Sequence, residues 1–107
     1  MGFQAVQYPD KTVSAVLPLA MDFSDRLIDG ETVTGVSVSN SLFSGTDASP
    51  GAMLIGSPSY VGAVASQSVG GGVVGVVYNV VFFASTTASN LYEKTGYLAV
   101  IADGSPY

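Results

Sequence analysis

The sequence predicts an all-β fold, a single antiparallel β-sandwich with an extended N-terminal arm, on three observations. Between Asp47 and Glu93 there is no Asp, Glu, Lys, Arg or His. That stretch holds β-branched, aromatic and small residues and glycines instead, the materials of a sheet that buries its faces. Within it, residues 73–84 carry an alternation: Tyr78, Val80, Phe82 and Ala84 face one way, and Val77, Asn79, Val81 and Phe83 the other. Apolar residues on both sides predict a central strand or an interface on the outer face. Turn signals recur at roughly 8–12-residue spacing, with no helical period and no internal repeat, which is the rhythm of a sandwich. The 107 residues fit one domain with one modest core.

The elements follow in order. Residues 1–11 read as an arm, because Pro9 disfavours a helix there and biases Tyr8 towards extended backbone. Residues 12–107 are the sandwich. Its first strand, 13–23, contains Pro18, which restricts it to a sheet edge or splits it at a bend. Ser24-Asp25-Arg26-Leu27 reads as one helical turn capped by Ser24. Asp29-Gly30 reads as the turn into the next strand. That strand, 31–39, has Val33 on one side and Val36 and Val38 on the other, so a bulge at Gly35 is expected to repair the phase. Residues 40–51 read as a loop with an apolar tip at Leu42-Phe43. A short strand at 52–55 is turned by Gly56-Ser57-Pro58, and another strand covers 60–69. Gly70-Gly71-Gly72 breaks the chain before the long alternating strand, and a last strand is expected at 96–102.

Composition excludes most chemistry. Charged residues are 10% of the chain, against about 25% in an ordinary domain, so much of its surface is expected to be covered in its working state. There is no cysteine for a disulfide or thiol nucleophile and no histidine for a general base or metal ligand. The net charge of −5, with Lys11, Arg26 and Lys94 as the cations, argues against nucleic acid as a partner. The most apolar run, 73–84, is too short to span a membrane and contains Asn79. Met1-Gly2-Phe3-Gln4 lacks the pattern of a signal peptide, and Val6 stands where a myristoylation motif needs Ser or Thr. Synthesis in the cytoplasm is expected.

Candidate sites are few. Asp22, Asp25, Asp29 and Glu31 concentrate the acid, and such a loop could offer oxygens to calcium. The spacing does not match an EF-hand, and a solvated turn explains the same residues, so no metal and no cofactor is expected. Asp22 with Glu31 as a glycosidase pair lacks any tryptophan platform for sugar. No serine or threonine has a base to activate it. Tyr78, following the glycine turn at Gly75, suits the corner tyrosine of an immunoglobulin-like sandwich, whose hydroxyl turns back onto upstream backbone. The residues placed for contact with neighbours are Phe3 and Tyr8 in the arm, Leu42 and Phe43 at the loop tip, and Tyr107 at the end.

Several pieces in order resemble small immunoglobulin-like virion proteins of tailed bacteriophages, of the fibre–tail adaptor type. They are Asp10-Lys11, Met21-Asp22-Phe23-Ser24-Asp25-Arg26-Leu27 and Asp29-Gly30-Glu31-Thr32-Val33, followed by Gly71-Gly72 with Gly75 and Tyr78. The exit Ala84-Ser85-Thr86-Thr87 and the strand Tyr97-Leu98-Ala99-Val100 complete the pattern. The chain departs from it in Pro18-Leu19-Ala20 before Met21 and in the long segment 39–51. The resemblance implies structural roles for Asp22, Leu27, Gly30, Glu31, Gly75 and Tyr78. It also implies a non-enzymatic subunit of the virion, in the tail or head–tail region, that joins tail, fibre or connector proteins. From the charge-poor, apolar-edged sandwich itself a homo-oligomer or ring is expected. A capsid decoration protein is the first alternative, since it needs the same small sandwich. A carbohydrate-binding module using the six tyrosines is a weaker one.

Overall fold

A computed structural model describes residues 6–104, which form two facing sheets. The strands are β1 (Val6–Gln7), β2 (Lys11–Thr12), β3 (Leu17–Asp22), β4 (Val33–Ser44), β5 (Leu54–Val61), β6 (Val64–Val69), β7 (Val77–Thr86) and β8 (Leu91–Ile101). A 3-10 turn, Pro50–Met53, leads into β5. One sheet is ordered β1-β8-β7-β4, with β2 also on β8, and the other β3-β6-β5. β1 and β2 run parallel to β8, and the remaining pairings are antiparallel.

The alternating run forms β7, central between β8 and β4. Its Tyr78, Val80, Phe82 and Ala84 are buried, while Val77, Asn79, Val81 and Phe83 stay half-buried on the outer face. Leu98 and Val100 of β8 extend the inner layer. Leu19 and Met21 of β3, Ala65 and Val69 of β6, and the flanking Phe23 and Met53 meet it from the other sheet. Each such large apolar side chain contributes about 1.5–3 kcal/mol on burial, so this layer holds the sheets together. Pro18 sits on β3, an edge strand, opposite Ser68. The register of β4 slips between Val33 and Gly35, where a bulge was expected.

Several boundaries differ from the sequence reading. Leu42 and Phe43 belong to β4 and not to a loop, because the alternation Val36-Ser37-Val38-Ser39-Asn40-Ser41-Leu42 continues and pairs with β7 from Ala84 back to Tyr78. Gly56-Ser57-Pro58 does not turn the chain; it is an irregularity inside β5, where the register with β6 shifts between Ile55 and Ser59. The reversal lies instead at Gly62, which has φ 59°. Gln67 explains how β5 tolerates this. Its buried side chain donates to the carbonyls of Ile55 (3.1 Å), Gly56 (3.3 Å) and Ser68 (2.9 Å). β8 starts at Leu91, five residues before the expected strand, and extends β7's whole ladder. Ser24 does not cap a helix; the Asp22 carboxylate accepts the Ser24 N–H (2.8 Å) and closes a plain turn.

Tyr8 is the largest departure. Expected on an exposed arm, it is buried at 8% exposure, its N–H bonded to the Tyr97 carbonyl (3.0 Å). Its ring lies on Gly96, where an added Cβ would come within 2.3 Å of it. Its hydroxyl donates to the Ala20 carbonyl (2.7 Å) on β3. One side chain thus ties β8 in one sheet to β3 in the other. Phe3 and Tyr107 lie outside the described residues.

Candidate functional site

Two polar nodes sit at opposite ends of the sandwich, and β7 connects them. At its far end Thr86 reaches Glu31, which is 7% exposed. The turn at Gly30, with φ 81°, brings Glu31 inward, and Glu31 N–H closes the turn on Ile28. The carboxylate then accepts from Ile28 N–H (3.0 Å), the Thr86 hydroxyl, the Asn90 amide (2.9 Å) and the Tyr92 hydroxyl (3.0 Å). These donors, led by Thr86, hold its pKa down from 4.5 to about 2. Leu27, half-buried, packs on the core beneath the same turn. Nearby, Lys94 donates to the Asp22 carbonyl (2.7 Å) and pairs with Asp25, its ammonium 5.8 Å from the Phe23 ring centre.

The four acids singled out in the sequence therefore do not converge. Asp22 and Asp25 bind Ser24 and Lys94, and Glu31 faces neutral donors. Among the described residues no three His, Cys, Asp or Glu side chains are grouped to hold a metal ion.

The near end is built on glycine. Gly75 (φ 87°) turns the chain into β7, its N–H bonded to the Val100 carbonyl (2.9 Å). Tyr78 is fully buried; its hydroxyl accepts the Val73 N–H (2.9 Å) and donates to Asp47 (2.7 Å). Burial, with Asp47 second, pushes the phenol up to about 12. Ser49 N–H also binds Asp47 (2.9 Å), and it leads the two donors in keeping that carboxylate below its usual range. Lys11, only 1% exposed, donates to the carbonyls of Thr12 (2.8 Å), Val13 (3.2 Å) and Gly71 (2.7 Å). A cleft of about 270 Å³ opens at this end, lined by Asp47, Ser49, Ala52, Met53 and residues 70–73.

Surface apolar residues are plentiful. Phe43 is 61% exposed and its ring centre lies 4.6 Å from that of Tyr97, while Leu42 is 38% exposed. Val16, Ile28, Val61 and Leu91 are more exposed than Phe43. The sequence reading missed Asp47, Asn90, Tyr92 and Gln67 as bonded groups. Their bonds to Tyr78, Glu31 and the Ile55 carbonyl run across the fold, where no local signal marks them.

A family model described as Podophage GP4 fiber-tail adaptor protein gp77 matches residues 11–99. That span includes both polar nodes. No curated protein matches the chain.

Proposed function

As this chain belongs to the podophage GP4 fiber-tail adaptor protein family gp77, we propose that it is a non-enzymatic structural subunit joining the tail to fibres or neighbouring tail proteins. The match across residues 11–99 carries this reading. The physical character of the chain supports it: few charges, and large apolar side chains such as Phe43, Val61 and Leu91 left exposed on a small sandwich. Its partners are other virion proteins, met through protein–protein contacts in which Leu42 and Phe43 take part. Several identical copies stand together in a ring or collar, which shields the exposed apolar surface. The chain is made in the host cytoplasm and works in the virion.

Quantitative mass spectrometry of purified virions tests the proposal. The expected copy number is far below that of the major capsid protein and in step with the tail proteins. A ratio near one to the capsid protein makes the chain a shell decoration, and absence from the particle ends the reading.

A further inference from the structure

The cleft at the glycine end is a shape with a charge on its wall. Its walls are apolar at Ala52, Met53 and Val73 and polar at Asp47 and Ser49, and residues 70–72, all glycine, present bare backbone. That openness is enforced. Gly71 and Gly72 have φ 69° and 97°, and a Cβ on Gly72 would come within 2.9 Å of Val100 and 3.1 Å of Met53. At about 270 Å³ the cleft is below the roughly 300–1,000 Å³ of sites for drug-sized molecules, so one side chain suits it better than a cofactor.

The charge selects which side chain. Asp47 borders the cleft and is held in place by Ser49 N–H and the Tyr78 hydroxyl, one on each oxygen. A carboxylate offers about four acceptor sites, so two remain open. The lysines of this chain are engaged elsewhere. Lys11 is enclosed by three carbonyls, and Lys94 binds Asp25 and Asp22 at the opposite end. The chain as a whole carries −5, which favours a basic partner.

We infer that this cleft is a socket for one lysine or arginine side chain of a neighbouring virion protein. The aliphatic stem lies along Met53 and Val73, and the cation meets Asp47. Val74, exposed and next in the chain to the lining residue Val73, adds an apolar contact for the partner's surface. The identity of the partner rests on the adaptor reading; the socket itself rests on the cleft and its carboxylate.

The test titrates the full chain with Nα-acetyl-arginine methyl ester, followed by amide chemical shifts, with Nα-acetyl-norleucine methyl ester as the uncharged control. Saturable shifts are expected at Ser49 and residues 70–73 with the arginine probe. Asp47→Asn should weaken them about tenfold, the weight of one charge-assisted hydrogen bond. Because Asp47 also binds Tyr78, Ala52→Leu provides a second variant, which fills the cleft and leaves the carboxylate in place. It should abolish the shifts with the fold intact. Equal shifts with the norleucine probe, or shifts indifferent to both variants, overturn the inference. In virions, wild-type chain present with both variants incorporated equally well defeats the socket alone, whereas wild-type chain absent defeats the adaptor reading.

Discussion

Single polar side chains do more here than their number suggests, because each one ties separate stretches of chain. Tyr78 holds the glycine turn through Val73 and the segment before β5 through Asp47. Tyr78→Phe keeps the ring but leaves the Val73 N–H unpaired, and should cost about 1–3 kcal/mol in urea denaturation. Glu31 joins its own turn to Thr86, Asn90 and Tyr92. Glu31→Gln keeps the size but turns an amide towards groups that donate, so the melting temperature should fall. The sequence singled out Glu31 and Tyr78 for structural roles, through the Gly-Glu and Gly-x-x-Tyr pattern. It could not supply their partners, which lie 55 and 31 positions away for Thr86 and Asp47.

Among the elements, the N-terminal strand depends on a single glycine. Tyr8 can cover the inner face only because Gly96 has no side chain where its ring lies. Gly96→Ala should displace the ring and loosen β1 from β8, at about 1–3 kcal/mol for an overpacked site. Hydrogen exchange at Tyr8 N–H, bonded to Tyr97, should speed up before exchange at the β7 amides does. A glycine inside a strand is a known sign of close approach, so Gly96 was a readable signal for a neighbour, though not for which one. β5 makes the complementary point. Gly56 and Pro58 read as a turn, yet Gln67 from the adjacent strand accepts the irregularity and keeps the strand running.

For the molecule as a whole, the two nodes, together with Tyr8 and the other bonded aspartates, set the pH range of stability. Glu31 titrates at about 2 when folded against 4.5, so its contribution is complete above about 4.5 and is lost as pH falls towards 2. Asp22, Asp25, Asp47 and Asp103 shift in the same direction. The urea midpoint should drop between about pH 6 and about pH 3, and Glu31→Gln should flatten that drop. Tyr8 and Tyr78 act at the other limit. Each is raised from 10 to about 12 by burial, so its contribution is complete below 10 and disappears as pH rises through 12. Tyr8→Phe should reduce the alkaline loss while costing about 1 kcal/mol at neutral pH, the worth of its bond to Ala20.

By itself the sequence determined the all-β class, the long strand with its two alternating faces, the restriction that Pro18 places on its strand, and the family. Those follow from local period, from proline's missing donor and from ordered short motifs, all of which are written within a few residues. Only the tertiary structure decided that Tyr8 is core, that Leu42 and Phe43 extend a strand, and that Asp47 borders a cleft. Those depend on what lies opposite in space: a bare glycine, a long partner strand, a buried phenol. Side-chain pairing across the fold leaves no trace in sequence spacing, because it is fixed by how the two sheets meet.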